Sequence, residues 1–135
     1  ALYQEQGEVV QKFEVIDVQS KSTVGLPPVG EKSALIFWAT WCGPCTVELD
    51  RIQNAISEGK LNSKNILAIS LQEDPELVLL EAQKRGYQFS IYADPTGQSL
   101  KSVKVYGTPT TYFLSSKSEV EKTSTGLSPL IIQNL

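Results

Sequence analysis

The only two cysteines of this 135-residue chain, Cys42 and Cys45, stand between a predicted buried strand and a predicted helix. Residues 34–39 form an uninterrupted apolar run, which is typical of a buried strand. The residues from Thr46 onward have the spacing of an amphipathic helix. This order places Cys42 at a helix N-terminus, where free backbone N–H groups and the helix dipole favour a thiolate. A thiolate attacks disulfides, so the motif predicts a site of thiol–disulfide exchange.

Composition leaves few other uses for this cysteine pair. Two cysteines are too few for a scaffold held together by disulfides, and a chain of this length does not need one. A zinc site usually takes four ligands, mostly Cys and His, and the chain has no histidine and no second cysteine pair. We therefore expect no metal and no cofactor beyond the redox-active Cys42–Cys45 disulfide.

Charge and hydropathy narrow the class of partner. The net charge of −3 argues against nucleic acid or an anionic membrane surface as the main partner. The sequence lacks the run of roughly 20 apolar residues that a membrane span requires, and it shows no signal-peptide pattern. We expect residues 1–135 to form one globular domain, and monomer is the default oligomeric state.

Predicted strands alternate with predicted helices along most of the chain. The predicted strands are 9–18 (one or two short ones), 33–38, 66–71, 89–92, 110–114 and 119–125. The predicted helices are 43–58, one that follows Asp74 and Pro75 and ends at Gly86, 98–105, and a last one capped by Ser128. In the second helix, Leu77, Leu80 and Ala82 are expected to face inward, and residues 20–32 are expected to form a loop. This order predicts an α/β fold with a central mixed sheet flanked by helices and an antiparallel edge pair.

Two motifs at these positions make the chain resemble the thioredoxin-fold proteins. One is the run FWATWCGPC at 37–45, and the other is GTPTTYFL at 107–114, which resembles the family's cis-proline loop entering a strand. Within that fold the chain is most similar to the TlpA/ResA-type branch, because of the N-terminal strand pair at 13–17, the inserted helix–strand segment at 74–94, and Glu48. The resemblance covers nearly the whole chain.

The resemblance implies a mechanism for the cysteine pair. Cys42, the more exposed at the helix start, would attack the substrate, and Cys45 would resolve the mixed disulfide. Glu48 lies three residues after Cys45, so the two side chains share a helix face. If Glu48 is buried near the sulfurs, it would exchange the Cys45 proton; the alternative is a solvated glutamate in the first turn.

The resemblance also implies the residues that contact substrate. These are Trp41, Gly43, Pro44, Thr108 and Pro109, and Pro109 would follow a cis peptide bond that exposes the Thr108 backbone to a substrate peptide. Members of the branch are typically extracytoplasmic and tethered to the membrane, here through a segment outside this chain. They reduce disulfides in protein substrates, often in cytochrome c maturation, with electrons from a transmembrane thiol oxidoreductase.

Two departures from the family pattern affect this interpretation. Asp50 stands where members usually have a helix-kinking proline, which predicts a straighter helix. Ile36 stands where cytosolic thioredoxins place a buried aspartate, which leaves Glu48 as the substitute base. The Gly43-Pro44 dipeptide is that of thioredoxin, whose reduction potential is about −270 mV. It therefore favours a reductant over a strong oxidant, whose reduction potential would be about −120 mV. A disulfide oxidant or isomerase, and a protein-binding module with idle cysteines, are the alternatives.

Overall fold

A single mixed sheet runs through the part of the chain that the computed structural model describes, residues 4–128 and 131–135. Its strands are β1 (Phe13–Asp17), β2 (Thr23–Leu26), β3 (Ser33–Trp38), β4 (Ile66–Leu71), β5 (Ser90–Asp94), β6 (Thr110–Leu114) and β7 (Val120–Thr125). The α-helices are α1 (Gly43–Ser57), α2 (Pro75–Arg85) and α3 (Ile131–Asn134), and Gln98–Lys101 form a 3₁₀ helix.

The strands lie in the order β2-β1-β5-β4-β3-β6-β7. The central strands β3, β4 and β5 are parallel neighbours, while β6 and β7 pair antiparallel on one side and β1 and β2 on the other. Because β3 and β4 are parallel, their carboxyl ends meet at the same edge of the sheet. Ligands of open α/β sheets bind at this edge, and the cysteine pair follows β3 there.

All six residues of β3 are buried, and successive side chains enter different cores. Ile36 and Trp38 belong to the cluster that also contains Leu49 of α1, whereas Leu35 and Phe37 belong to the cluster on the opposite face. Successive side chains of a strand point to opposite faces, so a strand buried on both faces is apolar throughout. The predicted core position of Trp38 and the predicted α/β architecture with a mixed sheet are confirmed.

The second strand of the N-terminal pair lies where the sequence predicts a loop. Thr23–Leu26 form β2 and pair with β1, with Gly25 opposite Glu14, so the prediction of an unbroken loop over 20–32 was wrong. The glycine and the following prolines are tolerated because β2 is the edge strand of the sheet. Pairing with β1 outweighs the weak local strand propensity of this segment.

Helix α2 begins and ends where the sequence predicts but presents a different face to the core. Asp74 caps it by accepting a hydrogen bond from Glu76 N–H at 2.8 Å. Its buried residues are Val78 and Ala82, while Leu77 and Leu80 are 50% and 63% exposed, so the prediction that these two leucines face inward was wrong. Val78 and Ala82 are four residues apart and share one stripe of the helix, and that stripe meets the sheet.

The last predicted helix is present in part. Helix α3 covers Ile131–Asn134, and Ile131 N–H donates to the carbonyl oxygen of Ser128 at 3.3 Å. The predicted start of this helix falls on residues 129 and 130, outside the described residues. Among the helices of the described chain, none is both long enough and apolar enough to cross a membrane.

Candidate active site

Cys42 and Cys45 form a disulfide in the first turn of α1, with their Cα atoms 5.2 Å apart. Cys42 is the N-cap of the helix, and its Sγ accepts a hydrogen bond from the Cys45 N–H at 3.3 Å. No acidic residue occupies the first turn of α1 to offset the positive end of the helix dipole. The fold therefore provides a backbone N–H and a helix N-terminus to stabilise a thiolate at Cys42.

The two sulfurs differ in their access to solvent. Cys42 is 5% exposed and Cys45 is fully buried, so Cys42 is the more accessible of the two, as predicted, although both are largely covered. The residues between them, Gly43 and Pro44, are exposed. An incoming sulfur therefore reaches Cys42 before Cys45.

The loop that precedes β6 lies against the disulfide. The peptide bond from Thr108 to Pro109 is cis, as predicted, and the Thr108 carbonyl oxygen lies 3.5 Å from Cys42 Sγ. Pro109 is buried and its carbonyl oxygen accepts the N–H of Gly126 at 2.8 Å, whereas Thr108 is half-buried and Gly107 is exposed. The fold thus brings together Cys42 and Thr108, which are 66 residues apart in sequence.

Two aromatic side chains next to these loops are exposed to solvent. Trp41, directly before Cys42, is 77% exposed, and Tyr106, directly before Gly107, is 64% exposed.

Glu48 is buried, which rules out a solvated glutamate. Its side chain is 1% exposed. One carboxylate oxygen, Oε2, accepts the N–H of Ser128 at 3.3 Å, and the other, Oε1, lies 3.4 Å from Arg51 Nη1. Burial raises the pKa of Glu48, and the Ser128 hydrogen bond and the Arg51 charge oppose that rise. Glu48 is thus an acid–base group held inside the protein on the helix that carries Cys45.

Sequence reasoning missed Glu73, which anchors the turn before Cys42. Glu73 Oε1 accepts hydrogen bonds from Thr40 N–H at 2.8 Å and from the Ser70 hydroxyl at 2.5 Å. Glu73 Oε2 accepts the Thr40 hydroxyl, also at 2.5 Å. A polar residue just beyond the carboxyl end of β4 was the available signal, because that end adjoins the end of β3. Arg51 and Ser128 were also missed. The i,i+3 spacing of Glu48 and Arg51 on one helix was a local signal for their ion pair, whereas Ser128 has no local signal for a contact with Glu48.

The two departures from the family pattern have direct structural counterparts. Ile36 is fully buried in β3, so no carboxylate stands at that position. Asp50 lies inside an uninterrupted α1 and accepts hydrogen bonds from the Tyr87 hydroxyl at 2.7 Å and from Arg85 at 3.1 Å. In this chain, position 50 therefore joins α1 to the end of α2 and the residues that follow it.

The described residues, 4–128 with 131–135, contain no group of three or more His, Cys, Asp or Glu side chains that would hold a metal ion. The chemistry that this arrangement supports is that of the cysteine pair. Cys42 caps the helix with its sulfur, Cys45 provides a buried partner sulfur, and Glu48 provides a buried carboxylate.

These features define a protein with a thioredoxin-like fold whose CxxC pair lies at the start of a helix. The chain belongs to the AhpC/TSA family, whose model matches residues 4–123. It is similar to ResA and to sporulation thiol-disulfide oxidoreductase A, so the predicted resemblance to ResA-type proteins is confirmed.

These relatives differ in their sequence identity to the chain and in the share of each protein that the match covers. Sporulation thiol-disulfide oxidoreductase A of Bacillus subtilis is 28% identical over 106 residues, which cover 76% of this chain and 64% of that protein. Thiol-disulfide oxidoreductase ResA of Halalkalibacterium halodurans is 30% identical over 124 residues, which cover 89% of this chain and 68% of that protein. The crystal structure of StoA from Bacillus subtilis superimposes with a TM-score of 0.69 at 24% identity, covering 89% of this chain and 91% of that one, and supports the fold. The chain thus spans less than two thirds of the Bacillus subtilis relative's length.

Proposed function

We propose that this chain is a thiol–disulfide oxidoreductase that reduces disulfides of other proteins. The observation that carries the proposal is the Cys42–Cys45 disulfide at the N-terminus of α1, with the Thr108 carbonyl 3.5 Å from the outer sulfur. In the reduced protein, this arrangement would place a stabilised Cys42 thiolate next to the Thr108 main chain, with which a substrate peptide could pair.

The reaction has two steps. The Cys42 thiolate attacks one sulfur of a substrate disulfide, forms a Cys42–substrate disulfide and releases the other substrate sulfur as a thiolate. The Cys45 thiolate then attacks Cys42 Sγ, forms the Cys42–Cys45 disulfide and releases the second substrate thiolate. Two electrons pass from the cysteine pair to the substrate, which takes up two protons.

Glu48 is the proton acceptor that we assign to the second step. Its carboxylate takes the proton of the Cys45 thiol, which leaves Cys45 as the attacking thiolate. A fully buried thiol is poorly deprotonated by solvent, and burial itself disfavours the thiolate. A buried carboxylate on the same helix provides an internal base where Ile36 offers none.

The surface around Cys42 is the proposed substrate-binding region. Trp41, Gly43 and Pro44 contribute the side next to α1, and Thr108 and Pro109 contribute the facing loop. An extended substrate segment would pair with the Thr108 main chain as strands pair at a sheet edge. The apolar face of Trp41 favours substrates in which a disulfide is flanked by accessible apolar residues.

The Gly43-Pro44 dipeptide supports a direction of electron flow, and the resemblance to the TlpA/ResA-type branch supports a setting. We propose a monomeric reductant of extracytoplasmic proteins that takes part in cytochrome c maturation. Its electrons would come from a transmembrane thiol oxidoreductase, and its membrane tether would lie outside this chain.

The decisive measurement is the equilibrium reduction potential of the Cys42–Cys45 pair against defined dithiol buffers. A value of about −250 mV or lower supports a reductant that requires an electron donor. A value of about −150 mV or higher identifies an oxidant or isomerase and overturns the assigned direction.

A trapping experiment separates the enzyme from a binding module with idle cysteines. Cys45→Ser removes the resolving thiol, so mixed disulfides between Cys42 and substrate proteins should accumulate. Cys42→Ser is the matched control and should accumulate none. Substrate binding by Cys45→Ser without any mixed disulfide would favour the binding module.

A further inference from the structure

Glu48 is held by two groups that come from different parts of the chain. Arg51, one helical turn later in α1, places Nη1 3.4 Å from Glu48 Oε1. The same Nη1 donates to the carbonyl oxygen of Ser128 at 3.1 Å, while Ser128 N–H donates to Glu48 Oε2 at 3.3 Å. The carboxylate, the guanidinium and one residue of main chain therefore form a closed ring of contacts, which we call the Glu48 clamp.

The clamp joins α1 to the segment that enters α3. Ile131, three residues after Ser128, is 1% exposed and packs in the core cluster that contains Cys45 and Leu49. This packing fixes the Ser128 main chain relative to the resolving cysteine. The clamp therefore positions the Glu48 carboxylate and favours its ionised form, against the larger opposing effect of burial on its pKa.

We propose that Arg51 is a positioning residue for the resolving step, which holds Glu48 in place through Ser128 and favours its ionised form. The inference rests on the proposed function, and it concerns a residue that lies outside both motifs. Within the described chain, the groups that act on the Glu48 carboxylate are the Arg51 guanidinium on α1 and the Ser128 N–H before α3. On its own helix, Cys45 three residues before Glu48 and Arg51 three residues after it share its face.

The consequence for the reaction follows from the proton balance. Only the carboxylate form of Glu48 can take the Cys45 proton, giving a carboxylic acid and a thiolate, and the thiolate then attacks Cys42 Sγ. Burial favours the carboxylic acid, so without Arg51 a smaller fraction of Glu48 is competent at a given pH. Loss of the guanidinium should therefore move the resolving step to higher pH.

Single-turnover kinetics with a chromogenic aromatic disulfide test the proposal. The first coloured thiolate is released when Cys42 of the reduced protein attacks the reagent, and the second when Cys45 resolves the mixed disulfide. The rate of the second phase is measured against pH in Arg51→Gln. We expect its midpoint to rise by about one pH unit, the low end for a carboxylate beside an arginine because Arg51 is one-third exposed.

Matched variants separate positioning from a general loss of structure. Arg51→Lys keeps the positive charge and should recover most of the shift. Arg85→Gln removes the only other arginine, which pairs with Asp50 and Glu81, and should leave the midpoint unchanged. In a Glu48→Gln background, Arg51→Gln should produce no further shift. Carboxyl-carbon NMR titration of Glu48 in wild type and Arg51→Gln gives the same comparison without turnover.

The outcomes also separate the inference from the function on which it rests. An unshifted midpoint in Arg51→Gln, in a protein whose two phases are otherwise intact, overturns the role of Arg51 and leaves the oxidoreductase proposal standing. A shift of the midpoint that persists when Arg51→Gln is made in the Glu48→Gln background also overturns the role of Arg51. Absence of both phases in the reduced wild-type protein overturns the proposed function itself.

Discussion

Glu73 holds the turn before Cys42 to the end of β4, and its loss should both destabilise the protein and loosen that turn. Its carboxylate accepts three hydrogen bonds, from the main chain and hydroxyl of Thr40 and from the hydroxyl of Ser70. Thr40 lies inside the turn that Cys42 N–H closes by donating to the Ala39 carbonyl at 3.2 Å. We therefore expect Glu73→Ala to lower the free energy of unfolding and to expose the Thr40 amide.

The structure sets the size of the loss. A hydrogen bond to a charged group contributes about 1.5–3 kcal/mol, and a buried polar group left without a partner costs about 1–3 kcal/mol. Ser70 is fully buried, so its hydroxyl bears that cost in the variant. Glu73 is only half-buried, and its three hydrogen bonds share one carboxylate. Their contributions are therefore not additive, and the total is smaller than the sum of three separate bonds. The expected loss is about 3 kcal/mol, which leaves a folded protein if its stability is typical.

Urea unfolding of the oxidised protein measures the stability, and amide hydrogen exchange measures protection at Thr40. The control is Glu76→Ala, because Glu76 is exposed and its contact is a surface ion pair with Lys21, for which we expect a loss below about 1 kcal/mol. If Glu73→Ala costs no more than Glu76→Ala, or if Thr40 remains protected from exchange, the reasoning is refuted.

Two further predictions concern α2 and Glu48. Val78→Ala should lower the free energy of unfolding by about 2 kcal/mol because Val78 is fully buried. Leu80→Ala should change it by about 0.5 kcal/mol or less, because Leu80 is exposed. Equal losses in urea unfolding would contradict the assigned helix face. Burial raises the pKa of Glu48 above its ordinary 4.5. Between pH 4.5 and the pKa of the folded state, Glu48 in the folded protein therefore retains a proton that it has released in the unfolded chain. The stability of wild type relative to Glu48→Gln should therefore fall as pH rises from 4.5 through the folded pKa, and a pH-independent difference in unfolding free energy would contradict this.

The elements that sequence reasoning placed correctly are those with local chemical signals. Helix α2 begins after Asp74, whose side chain caps it, and ends at Gly86, which adopts a φ of +71° that glycine accommodates without strain. Helix α1 ends within one residue of its prediction. Each of these signals involves residues within about one helical turn of one another, so neighbouring sequence is sufficient to show them.

The errors arose where a partner elsewhere in the fold decides the outcome. β2 forms because β1 supplies its hydrogen-bond partners, although Gly25 and the nearby prolines favour a loop. The face that α2 turns toward the core depends on how the helix lies on the sheet, and apolar residues occur on more than one of its stripes. Leu77 and Leu80 are therefore exposed while Val78 is buried.

The sequence by itself determined the chemistry of this protein: a cysteine pair in the first turn of a helix, after a strand too apolar to lie anywhere but the core. It determined this because the strand, the cap and the helix are consecutive in the chain. Tertiary structure alone decided that Glu48 is buried and that Glu73 holds the turn before Cys42. Glu73 reaches Thr40 across 33 positions, and Ser128 reaches Glu48 across 80. Such contacts depend on how the sheet and helices pack, and no local pattern records them.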